Sequence, residues 1–536
     1  MSPKLNQTII YDTTIREGSQ CPGISLSVSD KLRIAQELDN AGVSFIEGGM
    51  PETNPKEDEF YRKIADYPFK NACFVPFGAT SRAGVQAKKD PLLCALAETP
   101  FKTVCVYGKC DVFTVENVLR ISREENIFII MDTVTFLSDS GKEIIFDCEG
   151  FFSGWMRDRD YTIQCIFAAL RHGADTIVLC DTTGVADPVT VSEIIGEVRT
   201  MINGVKPRAK IGVHMHNDCG MADANTIAAA LGGADLVNTT LFGLGERCGN
   251  ANFFTVVPNL QVRYGRRCIP DESMRSITAL SYKMAGLLNI KARPDWPFVG
   301  RNAFSHKAGT HINAVLKAPE SFEVIDPSEV GGERRLLVSE ISGRSGMQDA
   351  AGRICGEELT PELNELILNT LKQREFEGYQ YESAEASLEL LVKKLTGEYR
   401  PAFKLNSYKV ITLDEKAGSP YSASAIVDLT VDGVSEITAG NGIGPVDALD
   451  CAFRRAMAHF YPATLSISLE DYKVRVIDSG EGTASKVRVF IEFTGGGKRF
   501  GTVGLSGDII QASWAALVDA YEYWIMKQND RSGGTE

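Results

Sequence analysis

The first ~265 residues repeat one pattern eight times: a short apolar, β-branched run followed by a longer stretch with helical spacing. The runs are TIIYD (8–12), VSFIEGG (43–49), ACFVPFG (72–78), TVCVYG (103–108), EIIFDCE (143–149), TIVLCDTTG (176–184), KIGVHMHND (210–218) and DLVNTTLFG (235–243). Eight consecutive βα units close most naturally into a (β/α)8 barrel. A doubly wound open sheet would call for G-x-G-x-x-G after the first strand, and the chain has none there. The first helix reads as 29–42, capped by Ser29 and ended by Gly42.

Polar residues gather where these runs end. YDTTIREGSQ follows the first strand, DCEG ends the fifth, CDTTG the sixth and HMHND the seventh, while GLGERCGNAN follows the eighth. A barrel brings those ends to one face, where such folds keep their active sites. His214 and His216 are two of only six histidines. At i and i+2 of a strand they point the same way, and neutral imidazoles on one face are good ligands for a divalent ion. Asp12 and Glu17 from strand one and Asn250 from the last loop supply oxygens. Such a mixed N/O set leaves Mg, Mn, Co and Zn open.

The rest of a 536-residue chain needs further cores. Residues 266–401 read as mainly helical linker subdomains, with polar loops GRNAFSHKAGTHINA (300–314) and EISGRSGM (340–347). Residues 402–536 run strand, strand, strand, helix twice, each half containing YKV and a Gly-rich turn before its helix. This is an α/β chain in three parts: a barrel over 1–265, a linker over 266–401 and a two-lobed βββα domain over 402–536. A net charge of −14 argues against nucleic acid or an anionic membrane as the main partner. Thirteen cysteines without a C-x-x-C pair fit a reducing compartment. With no apolar h-region at the start and no apolar run of ~18 residues, a cytoplasmic protein is expected.

DTTIREGSQ, GVHMHND and GLGERCGNAN together resemble the family of 2-isopropylmalate, homocitrate and citramalate synthases. AFSHKAGTHINAVLK and the terminal repeat extend the likeness along nearly the whole chain. DKLRIAQELDNAGVSFIEGG, GYQYESAEAS and VRVIDSGEGTASKVRV bring it nearest to the long bacterial citramalate synthases. The resemblance implies an acyltransferase that joins acetyl-CoA to a 2-oxo acid and releases CoA, with pyruvate giving citramalate. It implies a barrel, a helical linker and a regulatory domain that binds an amino-acid end product. Carried over by motif, Glu17, His214 and His216 would hold the metal, with Asn250 a weaker or outer ligand. Many relatives have Asp where this chain has Glu17, but homocitrate synthases have Glu. Arg16 would hold the 2-oxo group and Thr182 the substrate carboxylate. Glu149 and His311 would transfer protons, His311 from the linker of a neighbouring subunit, with His306 competing for its role.

The chemistry asks for the same groups. An acetyl-CoA methyl proton needs a positioned base, and Glu149 sits in sequence among Ile145, Phe146, Phe151 and Phe152, where burial would raise its basicity. Arg16 offers a fixed fork of donors. The chain departs from the citramalate synthase pattern at EGFFSG (149–154) for EHFFDG, GKCDVFTV (108–115) for GKSWDLHV and CDTTGV (180–185) for CDTNGG. Space near Gly150 and Thr114 would suit a bulkier, branched or aromatic 2-oxo acid, giving an isopropylmalate- or benzylmalate-type product. A metal-dependent carbon–carbon lyase on the same barrel is the alternative of another class, and the terminal repeat counts against it. Paired βββα lobes suit a homodimer. The turns AGNGIGP (439–445) and GLSGD (504–508) offer backbone N–H groups for a feedback amino acid, expected to be small and hydrophobic.

Overall fold

The computed structural model describes residues 7–337, 351–352, 354–356, 359–412, 422–477, 485–496 and 498–532. The EISGRSGM loop lies outside the described residues. The chain forms two compact units, one of residues 1–304 with 323–334 and the other of 305–322 with 335–536.

The first unit is the expected barrel. Its parallel strands are β1 (Ile9–Asp12), β2 (Phe45–Glu47), β3 (Cys73–Val75), β4 (Phe77–Ala79), β5 (Thr103–Lys109), β6 (Glu143–Glu149), β7 (Thr176–Asp181), β8 (Lys210–Met215) and β9 (Leu236–Thr239). Their order is β3-β2-β1-β9-β8-β7-β6-β5-β4. The expected third strand is thus split into β3 and β4 at Pro76, which has no N–H to give a ladder. Its two halves pair on opposite sides, β3 with β2 and β4 with β5, and so complete the ring. Alternate residues point inward, and Tyr11, Phe77, Cys105, Ile145, Val178 and Cys180 fill the middle.

The first helix is Val28–Asn40, and its cap lies two residues earlier than the sequence suggests. Ser27, not Ser29, is its cap: Ser27 Oγ accepts from Asp30 N–H while the Asp30 carboxylate accepts from Ser27 N–H. That reciprocal pair satisfies two donors together, which Ser29 could not do. Gly42 follows with φ 83°.

In the second unit, β10 (Ser305–His306) pairs with β11 (Arg335–Leu336). The polar loop expected over 300–314 becomes helical from Gly309, in the helix Gly309–Lys317. Helices Pro361–Glu377 and Glu385–Thr396 follow. The repeat is present as expected. β12 (Lys404–Thr412), β13 (Ala423–Val431) and β14 (Val434–Gly442) form one antiparallel sheet, and β15 (Ile467–Val476), β16 (Val487–Gly495) and β17 (Lys498–Ser506) another. Each sheet is followed by a helix, Pro445–Phe460 and Ile509–Ser532. Phe453, Phe493, Trp514 and Tyr521 share one core there.

The turn glycines have a packing reason. A Cβ on Gly442 would lie 2.2 Å from the Ala448 nitrogen, and one on Gly504 would lie 1.9 Å from the Ala512 carbonyl oxygen. In both lobes the missing side chain lets the helix sit directly on the third strand. No described helix is long and apolar enough to cross a membrane.

Candidate active site

Strand register builds a cavity of about 310 Å3 at the C-terminal mouth of the barrel, lined by Arg16, Glu17, Glu149, Thr182, His214 and His216 together with residues the sequence did not single out. Cys180 pairs with His214, and Lys109 with Glu149, so neighbouring strands deliver these side chains at the same height.

His214 and His216 stack with ring centroids 5.0 Å apart. Glu17 Oε1 lies 3.9 Å from His216 Nε2, and one donor atom from each of Glu17, His214 and His216 falls within 4.8 Å of the others. All three side chains are buried. His214 Nε2 is 3.0 Å from Asn250 Oδ1, and Nδ1 is 3.8 Å from Asp147 Oδ2. Burial would raise the Glu17 carboxyl, but Arg16 and the two histidines outweigh it and hold it below the ordinary range. Burial, reinforced by His214, drives His216 down to about 3, so its ring is neutral at pH 7. A charged carboxylate beside a neutral imidazole is a suitable donor set for a divalent ion.

Arg16 is locked. Its Nε donates to Glu47 Oε1 at 2.5 Å and its Nη1 to Glu17 Oε2 at 2.5 Å, and the guanidinium lies 3.9 Å over the Phe77 ring. Glu47 is fully buried and also accepts from the Tyr11 hydroxyl at 2.7 Å. Thr182 Oγ accepts from Gly150 N–H at 2.8 Å, which leaves its own hydroxyl proton to be donated. Arg247 donates twice to Asp218 at 2.7 and 2.9 Å, to the Thr182 carbonyl at 2.7 Å and to His216 Nδ1 at 3.2 Å.

Three expectations are corrected. Glu149 is not enclosed by apolar neighbours: Phe151 and Phe152 turn into the core, while the Glu149 carboxylate stays partly open and is held by Lys109 Nζ at 2.5 and 2.6 Å. Gly150 and Thr114 open no space into the cavity, because neither lines it. Gly150 has φ 75°, and a Cβ there would lie 2.9 Å from Asp111 Cβ; Thr114 turns its hydroxyl to Asp111 Oδ2 at 3.4 Å. Gly150→Ala is therefore expected to cost about 1–2 kcal/mol from the left-handed backbone alone, read as a lower unfolding temperature. Asp12 does not join the cavity either. It is buried, accepts from Thr14 N–H at 2.9 Å, and burial raises its pKa to about 7.

Asn250 is adjacent to the cavity through His214. The Gly245 backbone allows this, since a Cβ there would lie 2.0 Å from Asn250 Nδ2. His311 belongs to the second unit, where its ring stacks on Phe322 with centroids 4.1 Å apart. His306 is buried in β10.

Residues 7–281 match the HMGL-like family, residues 298–375 the homocitrate synthase post-HMGL domain-like family, and residues 382–525 the LeuA allosteric (dimerisation) domain. The chain is 41% identical to an (R)-citramalate synthase of Aquifex aeolicus over 97% of this chain and 98% of the relative. It is 40% identical to one of Synechocystis sp. over 98% and 97%. A 2-isopropylmalate synthase of Pyrococcus furiosus is 31% identical over 95% and 98%. The chain belongs to the family of 2-isopropylmalate, homocitrate and citramalate synthases, with an HMGL-like barrel followed by a LeuA-type allosteric domain.

Proposed function

We propose that this protein joins acetyl-CoA to pyruvate, giving citramalate and CoA. The observation that carries the reading is full-length likeness, near 40% identity, to several (R)-citramalate synthases. The cavity chemistry supports it independently.

Glu17, His214 and His216 would hold a divalent ion, with Asn250 as an outer or weaker ligand; the N/O donors suit Mg, Mn, Co or Zn. When bound, the ion polarises the ketone and balances the charge that develops on its oxygen. Arg16 holds the 2-oxo group with donors that are already oriented. Thr182 donates its hydroxyl proton to the substrate carboxylate. Glu149 and, from a neighbouring subunit, His311 carry the proton transfers: one takes a proton from the acetyl methyl group, the resulting carbanion attacks the 2-oxo carbon, and the other gives a proton to the alkoxide that forms. Water then cleaves the thioester and releases CoA.

In this reading residues 1–265 are the catalytic barrel, 266–401 the linker and 402–536 the regulatory domain. The LeuA-type domain supports a homodimer, and a small hydrophobic amino acid acts as its feedback ligand. Thirteen free thiols support a cytoplasmic location.

CoA release with acetyl-CoA and a panel of 2-oxo acids tests the substrate. Pyruvate is expected to exceed branched and aromatic acids in kcat/KM by at least about tenfold, or about 1.4 kcal/mol. Preference for a branched or aromatic acid would overturn pyruvate and leave the reaction class standing. Absence of CoA release with every acid would overturn both.

A further inference from the structure

The second βββα lobe carries a cationic pocket unrelated to the barrel site. It has a volume of about 450 Å3 and lies in the second compact unit, where residues 380–383 meet the sheet. Its outer sheet face is set by register. Lys473 stands opposite Phe490, which stands opposite Val503; one step along, Arg475 stands opposite Arg488. Residues two apart on a strand share a face, so three cations and an apolar floor converge.

Arginines directly opposite one another on paired strands repel, and such pairs are destabilising. Among the described residues neither arginine forms an ion pair with a carboxylate. Arg488 spends one N–H on the Gly378 carbonyl at 2.9 Å. Burial and then Arg475 lower its pKa, with Glu375 as the opposing acidic charge. Arg475 is exposed at the pocket wall. Lys473 pairs with Asp471 and sits 5.8 Å from the Phe490 ring centroid. The like-charge pair, the cavity in front of it and the Phe490–Val503 floor are all accounted for by a ligand with negative charge at one end and apolar surface behind it.

We propose that this pocket binds a small doubly charged oxyanion with an apolar body, a phosphate monoester or a dicarboxylate, through Arg475, Arg488 and Lys473. Two charges match two guanidinium forks, each able to grip an oxyanion with paired N–H groups. Bound there, the anion ties the 378–383 segment to the second lobe and relieves the Arg475–Arg488 repulsion.

Calorimetric titration of the full chain with inorganic phosphate and, separately, with succinate tests this, against sodium chloride at equal ionic strength. Binding of either anion beyond the chloride control is expected, weakened at least about tenfold, or about 1.4 kcal/mol, in Arg475→Gln. Phosphate alone would identify a phosphoryl ligand, and succinate alone a dicarboxylate. Lys473→Gln provides a second variant should Arg475→Gln fold poorly, and it too should bind more weakly. No binding above chloride, or unchanged binding in the variants, would overturn the site.

Discussion

If His214 and His216 hold the divalent ion as proposed, replacing either with alanine should remove it and lower kcat/KM by about a thousandfold or more, roughly 4 kcal/mol. The size follows from how the site is built. Glu17 comes from the loop after β1 and both histidines from the end of β8, and their donor atoms converge. Asp147 Oδ2 lies on the Nδ1 side of His214, placed to take that ring's second N–H. Partners of this kind orient a ligand, and losing one typically costs 10–100-fold, so losing the ligand itself should cost more. Both histidines are buried at the barrel mouth, where a shorter side chain leaves a gap at the cavity rather than in the packed middle. The fold should therefore survive. Metal content by elemental analysis, kinetics and circular dichroism on the same preparations separate the effects. Wild-type metal content and activity in both variants would remove Glu17, His214 and His216 from the metal site. Lost activity with full metal content would give the histidines a role in substrate handling instead.

The barrel was legible because each buried strand is written as an apolar, β-branched run, and because the βα alternation leaves few topologies open. The H-x-H pair was legible because two-residue spacing fixes a shared face without any tertiary knowledge. What the sequence hid was the support around those residues. Glu47 ends the apolar run FIE and had no assigned role, yet it is the buried carboxylate that grips Arg16. Its signal was present: an acid closing an otherwise apolar inward strand must find a partner. Asp147 sits two residues before Glu149 and so faces the same interior, which the period-two rule could have shown. The Arg247–Asp218 pair joins two loops distant in sequence, and no local pattern announces it. Glu149 misled for a related reason. Its sequence neighbours are apolar, but Phe146 stands on the opposite face of the strand and Phe151 lies beyond its end in the following helix, so both describe the core and not the surroundings of the carboxylate. Gly150 misled because volume was inferred from a missing side chain, whereas its left-handed backbone stands against Asp111 and not over the cavity.

Arg16→Lys should lower kcat/KM by about a hundredfold, roughly 2.7 kcal/mol, while metal content stays at the wild-type level. The substitution keeps the positive charge, so the charge alone cannot explain a loss of that size. Arg16 uses two different nitrogens at once, Nε on Glu47 and Nη1 on Glu17, and its plane lies flat over Phe77. A lysine has one nitrogen and no plane. It can serve Glu47 or Glu17 but cannot hold both at the observed spacing and still present a donor to a 2-oxo group. Burial already raises the Glu47 carboxyl, only partly offset by Arg16, so a poorer partner leaves a costly buried charge. The loss should appear in kcat more than in KM if Arg16 acts on the charge that forms during carbon–carbon bond formation. Glu47→Gln gives the companion result. It keeps one acceptor for Arg16 and removes the charge, so its kinetic loss should be smaller than that of Arg16→Lys. A loss below about tenfold in Arg16→Lys, under roughly 1.4 kcal/mol, would make Arg16 a structural tie between Glu17 and Glu47 and nothing more.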